Sequence, residues 1–246
     1  MKKLAVISAC GARSERAMLA YVGDHALRVV KLIDAVMKAH RGMDAILLTG
    51  VSYYQMKHIT KYMAKLGYKT VVAPDFLNER EKWRFTQLTI AFVLDKHNRF
   101  SQLRYDEDGL KTIYRYVAFE LDGDEIRLIH VPCVDKNRPH YEEQIQRKES
   151  MLRFEMKLEE EEIAQNKRVL SCGDYNTEIG GLECHEIFDA LPYKKMLDET
   201  TWHLSKIDNI LVSPALEGKV KVFTEDFEVG RLTDHKTVVI ELGCCS

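Results

Sequence analysis

Short apolar runs closed by clusters of polar groups restrict what this chain can fold into. The clearest is Arg168-Val169-Leu170-Ser171, followed at once by Cys172-Gly173-Asp174-Tyr175-Asn176-Thr177. Its counterpart is Thr237-Val238-Val239-Ile240, preceded by Thr233-Asp234-His235. Such runs are too short for buried helices and read as buried strands. An Asp, an Asn and an Asp-His pair therefore stand at strand ends. Carboxylate, amide and imidazole are the groups that orient a water, a hard cation and a phosphate.

The rest of the chain alternates strand and helix. Leu4 to Ile7, Asp44 to Leu48 and Lys69 to Ala73 read as strands. Leu27, Val30, Ile33 and Met37 recur at helical spacing over 24–40, with Asp24 as the N-cap. Met56, Ile59, Met63 and Leu66 mark a second helix that Gly67 stops. The middle is richer in strand: 86–93, 114–121 and 126–131, the last two joined through Asp122-Gly123, a strong hairpin signal. A long helix over 140–165 carries Ile145, Leu152, Met156 and Ile163 on one face, and the run Glu159 to Glu162 reads as a solvated face. Further strands are expected at 167–171, 207–212, 220–223 and 236–242. No repeat or linker divides the 246 residues, so one domain is expected.

Composition narrows the function classes. A net charge of −2 argues against a strongly basic nucleic-acid wrapper but leaves room for a local basic cleft. No apolar run of about 18 residues exists to span a membrane, and the basic start at Met1-Lys2-Lys3 lacks the apolar region of a signal peptide. Six cysteines, Cys10, Cys133, Cys172, Cys184, Cys244 and Cys245, show no zinc spacing. A reducing, cytoplasmic setting is expected. Cys10-Gly11-Ala12-Arg13 after the first strand is no dinucleotide fingerprint, which disfavours a doubly wound fold.

The motifs, taken in order, resemble those of the exonuclease–endonuclease–phosphatase superfamily, the DNase-I-like fold. Val169 to Thr177 is similar to that family's strand followed by Gly-Asp-aromatic-Asn. Lys206-Ile207-Asp208-Asn209-Ile210-Leu211-Val212-Ser213 is similar to its Arg-Ile-Asp-Tyr-Ile-Leu-Val-Ser strand, and Leu232 to Val239 to its terminal Ser-Asp-His. Leu128-Ile129-His130-Val131-Pro132 and Asp44 to Val51 resemble two further strands. The resemblance spans nearly the whole chain. It implies a four-layer α/β/β/α sandwich of two mixed β-sheets with outer helices. It also implies a metal-dependent phosphoesterase, foremost a nuclease, using Mg²⁺ or Mn²⁺ on a phosphoester or nucleic-acid substrate. In that reading His235 is the general base or stabilises the phosphorane, and Asp208 fixes its tautomer. Asp174 activates water and meets the metal, Asn176 and His130 contact the phosphate, and Asp234 faces the metal.

Two positions depart from the family pattern. Its first strand ends in a metal-touching Asn, where this chain has Cys10; its second ends in Gln-Glu, where this chain has Thr49-Gly50. A thiol is a poor ligand for a hard cation and glycine offers no ligand. Three readings stay open. Glu15, Asp24 or Asp44 reaches the metal in a shifted register. Alternatively Asp174 and Asp234 hold a weaker ion, or the fold serves as a binding module for a phosphorylated ligand, nucleic acid or protein partner, without turnover.

Overall fold

Among the described residues, twelve strands and four α-helices form. The structure, a computed structural model, describes residues 1–9, 22–71, 88–94, 100–102, 115–134, 137, 139–177, 184–202, 205–227 and 233–243. In chain order the elements are β1 (Lys2–Ser8), α1 (Val22–Ala39), β2 (Ala45–Val51), α2 (Tyr53–Lys65), β3 (Tyr68–Val71), β4 (Leu88–Leu94), β5 (Phe100–Gln102), β6 (Tyr116–Leu121) and β7 (Asp124–His130). They continue with α3 (Tyr141–Ala164), β8 (Val169–Asp174), α4 (His185–Asp189), β9 (Lys194–Lys195), β10 (Asp208–Val212), β11 (Val220–Glu225) and β12 (Thr237–Leu242). Cys10, Glu15, Cys244 and Cys245 lie outside the described residues, as does the side chain of Asp24.

The strands make two mixed sheets of six, ordered β11-β12-β1-β2-β4-β3 and β5-β6-β7-β8-β10-β9. Within them β1 runs parallel to β2, and β7 to β8; the other pairings are antiparallel. Period-2 alternation sends one residue set of each strand between the sheets. Leu4, Val6, Ala45, Leu47, Ala91 and Val93 of the first sheet meet Val117, Phe119, Leu128, Leu170, Cys172 and Ile210 of the second. The opposite faces are covered by helices. Val29, Ile33 and Val36 of α1, with Ile59 and Met63 of α2, pack on Ile7, Ile46 and Leu48; Met151 and Leu152 of α3 pack on Ile129, Val169 and Leu211. The result is the α/β/β/α sandwich expected from the motif order.

Three local expectations are corrected. Asp24 lies inside α1, which begins at Val22, so it is not the N-cap. Leu27 is 51% exposed, and the buried stripe of α1 runs through Val29, Leu32, Ile33 and Val36. Most consequentially, Glu159 and Glu162 are not solvated: the inward face of α3 is Lys148, Met151, Leu152, Glu155, Glu159 and Glu162. These carboxylates surround Arg127 of β7, which is fully buried and whose Nε donates to Glu125 Oε1 at 2.9 Å; its Nη2 is paired with Glu162. Glu155 accepts from Tyr175 Oη at 2.8 Å and from Ser171 Oγ.

The charge balance of this cluster sets a pH dependence. Burial, and then the charge of Glu155, push Glu159 up to about 9, against the opposing pull of the Tyr193 backbone N–H and Arg127. Glu125 and Arg127 face it from β7, Glu155 and Glu162 from α3, and Tyr193 from the turn before β9. A carboxyl raised in the native state holds a proton that the unfolded chain releases near pH 4.5. Its stabilising contribution is complete below that value and declines as pH rises to about 9. Glu159→Gln is expected to remove about 1–3 kcal/mol of the stability lost between pH 6 and 9. Thermal melts of both proteins across that range check it; parallel curves would show that Glu159 is ionised in the native state.

Candidate active site

At one end of the sandwich the inter-sheet stripes change from apolar to charged. In the second sheet the change falls on the same row of four adjacent strands. Val117 and Phe119 lead back to Arg115, Ile126 and Leu128 lead on to His130, Leu170 and Cys172 to Asp174, and Ile210 back to Asp208. The register aligns them: Tyr116 pairs with Ile129, His130 with Asp174, and Asp174 with Asp208. Strand period alone thus delivers a cation, an imidazole and two carboxylates side by side.

Backbone geometry fixes the row. Gly173 has φ +137, and a Cβ there would lie 2.0 Å from the carbonyl oxygen of Ile129 on the neighbouring strand. Gly173→Ala is therefore expected to cost about 2–4 kcal/mol, because the obstacle is backbone and cannot rotate aside; a denaturant titration reads it. Asp174 Oδ1 then accepts from the backbone N–H of Asn176 at 3.0 Å. Asn176 sits in the left-handed region at φ +48 and donates its Nδ2 to Val131 O at 2.9 Å. From behind, the buried Lys148 of α3 donates to Asn176 O at 2.7 Å.

His235 enters from the first sheet, one residue beyond Asp234. Thr233 Oγ1 donates to Ser8 O at 2.7 Å and receives the backbone N–H of His235 at 3.2 Å, tying this segment to the end of β1. The His235 Nδ1 donates to Asp208 Oδ2 at 2.7 Å, a carboxylate being only an acceptor. That contact leaves Nε2 as the reactive edge, 3.9 Å from Asp234 Oδ1. Burial by itself lowers the His235 pKa, but Asp208, then Asp174 and Asp234, outweigh it and raise the value to about 9. Asp174 is pushed up to about 7 by burial and then by Asp208, against the pull of His235, the Asn176 N–H and Arg115. His130 Nε2 is 3.7 Å from Asp174 Oδ2.

The structure thus gathers Asp174, Asn176, Asp208, His130, Asp234 and His235 at one end of the two sheets. It adds Arg115, whose place in the row is set by strand register. Its Nη1 lies 3.3 and 3.4 Å from the two ring nitrogens of His130. The available signal was its place, two residues before Val117 on the same face of the strand. Trp202 bridges to His235 and donates Nε1 to Asp234 Oδ2 at 2.9 Å. Cys133 is exposed. Asp44 stands away from this row: it immediately precedes β2, at the opposite end of the sheet, and accepts the backbone N–H of Lys3.

The donor set suits a divalent cation on one side only. Asp174, Asp208 and His235 offer ligand atoms within 4.8 Å of one another. Asp208 and His235 nevertheless face each other, so the carboxylates placed to meet a cation are Asp174 and Asp234. Asp234 Oδ1 is buried without a hydrogen-bond partner, as a cation ligand would be. On this side the residues fit. On the first sheet the corresponding end of β2 is Thr49-Gly50, with Gly50 at φ +71 in a bulge between Leu48 and Val51. No carboxylate stands there among the described residues of β1, β2 and β4.

No protein-family model and no curated protein matches the chain. Solved structures do. Truncated TDP2 of Caenorhabditis elegans superposes with a TM-score of 0.63 at 17% identity, covering 98% of both chains. A 3′ phosphatase from Neisseria bound to a product DNA hairpin gives 0.65 at 14% identity, over 98% of this chain and 99% of that one. An AP endonuclease from Archaeoglobus fulgidus gives 0.64 at 14% identity, over the same shares. Together with the two mixed sheets and their outer helices, these likenesses show that the chain has the DNase-I-like fold.

Proposed function

We propose that this protein is a divalent-metal-assisted phosphoesterase, foremost one that cleaves phosphodiester bonds in nucleic acid. The observation that carries the reading is the Asp208–His235 pair set against the Asp174–Asn176 loop. A water approaching the phosphorus in line gives its proton to Asp174 as the new P–O bond forms. His235, held by Asp208, presents Nε2 to the phosphoryl oxygen and stabilises the charge that grows there. Arg115 and His130 neutralise the remaining phosphate charge, and the bond to the leaving oxygen breaks, the departing alkoxide taking a proton from solvent. A divalent ion held by Asp174 and Asp234 would supply Lewis-acid polarisation of the phosphoryl oxygen. The structural likeness to an AP endonuclease and a DNA 3′ phosphatase supports the substrate class.

Thr49 and Gly50 favour a second reading, a module that binds a phosphorylated ligand without turnover. One assay separates the two. Hydrolysis of bis(p-nitrophenyl) phosphate and of a labelled oligonucleotide is expected with Mg²⁺ or Mn²⁺ and lost on chelation. Tight oligonucleotide binding without cleavage under any of these ions would establish the module instead.

A further inference from the structure

The first sheet faces the charged row with hydroxyls. Ser8 continues the inter-sheet stripe of Leu4 and Val6, Thr49 that of Ala45 and Leu47, and Thr89 that of Ala91 and Val93. The three are neighbours on adjacent strands. Ser8 pairs with Thr49, and Thr89 lies opposite the bulge, between the Leu48–Ile90 and Val51–Leu88 pairs. All three side chains are buried, and none of the oxygens Ser8 Oγ, Thr49 Oγ1 and Thr89 Oγ1 has a hydrogen-bond partner. Buried hydroxyls in native proteins are met by protein, ordered water or ligand. Three adjacent unmet ones form a polar wall able to hold water, since each bound water needs two to four such partners. The wall sits beside the proposed cation ligands: Thr233 ties the Asp234 segment to Ser8 O.

We propose that Ser8, Thr49 and Thr89 hold the water shell of a divalent cation whose anionic ligands are Asp174 and Asp234. The inference rests on the function proposed above. Mg²⁺ sheds its waters reluctantly and commonly keeps several in protein sites. Here the wall of the first sheet accepts those waters through neutral oxygens, and no carboxylate among its described residues replaces them. The site then carries one negative charge fewer than a wall with a glutamate, and it binds its ion correspondingly more weakly. It also leaves the three hydroxyls without partners whenever the ion and its waters are away.

That last consequence gives a signature that a purely structural role cannot produce. Mn²⁺ binding to the full chain is measured by electron paramagnetic resonance and calorimetry, with thermal melts recorded without metal. Thr49→Val, which keeps the shape and removes the hydroxyl, is expected to loosen Mn²⁺ at least threefold while leaving the metal-free Tm unchanged or higher. The triple change Ser8→Ala, Thr49→Val, Thr89→Val should loosen it further. Thr49→Glu is expected to tighten Mn²⁺ at least tenfold. An unaltered Mn²⁺ affinity in Thr49→Val would overturn the proposal, as would a lower metal-free Tm, which would mark the hydroxyl as structural. Looser binding of inorganic phosphate with unchanged Mn²⁺ affinity would also overturn it. If Thr49→Glu does not fold, the valine variant decides alone. Asp234→Asn separates this proposal from the reading beneath it. Unchanged Mn²⁺ binding there removes the cation ligands themselves, whereas lost binding there with an unaffected Thr49→Val removes only the hydroxyl wall.

Discussion

His235→Ala is expected to lower kcat for phosphodiester hydrolysis by about 10²–10⁴ while leaving substrate affinity within a few fold. The split follows from what the ring touches. Its Nδ1 is committed to Asp208 at 2.7 Å, so its only free edge is Nε2. An interaction that strengthens as charge moves onto the phosphoryl oxygen acts in the transition state and hardly at all in the bound substrate. In the proposed mechanism Arg115 and His130 bear on ground-state phosphate as well, so Arg115→Met should raise KM more than it lowers kcat. Asp208→Asn offers the internal control. An amide keeps the shape of the partner but can present its nitrogen to the ring, and it no longer favours the imidazolium. A loss of about 10² or more in kcat is expected from that tautomer change. Steady-state kinetics on the oligonucleotide, with circular dichroism to verify folding, read all three. A His235→Ala enzyme with folded spectra and undiminished kcat would remove His235 from the chemistry.

What could be read from the sequence, and what could not, divides along a physical line. Strands buried on both faces are mostly continuous apolar runs, so β2, β4 and β12 were visible, and Asp122-Gly123 marked the turn between β6 and β7; both residues have positive φ, 53° and 75°. The strands β5 and β9, of three and two residues, pair at sheet edges and leave no periodic trace. Asp174, Asp208 and His235 stood out because a charged group ending an apolar strand needs a partner. Arg115 did not, because a cation at a strand start is ordinary until the register shows what lies opposite. Ser8, Thr49 and Thr89 were invisible for a related reason: a hydroxyl in a strand means little until its oxygen is found without a partner. The inward face of α3 was misjudged because hydrophobic periodicity assumes that buried positions are apolar. Lys148, Glu155, Glu159 and Glu162 break that assumption.

Those buried charges carry the largest stability effect expected in the molecule. Arg127 is fully buried, with Glu125 and Glu162 paired to its guanidinium; burial by itself lowers its pKa, but Tyr116, then Glu125 and Glu155, outweigh that and raise it. Arg127→Met fills the same volume but leaves those carboxylates buried together without their cation. Removing one partner of a buried ion pair costs about 3–5 kcal/mol. For a chain of this size each kcal/mol lowers Tm by about 2–4 °C, so a drop of about 6–20 °C is expected. Adding Glu125→Gln and Glu162→Gln to Arg127→Met should restore most of the loss, because the cost lies in stranded charge rather than in the missing guanidinium. The cluster also reaches the active site, since Glu155 holds the hydroxyl of Tyr175, the residue after Asp174. Arg127→Met should therefore lower kcat even at temperatures where it is fully folded, and the triple variant should recover both properties together. Recovery of Tm without recovery of kcat would separate the cluster from the Asp174 loop. A Tm within about 2 °C of wild type in Arg127→Met would mean that the carboxylates are already neutral in the native state.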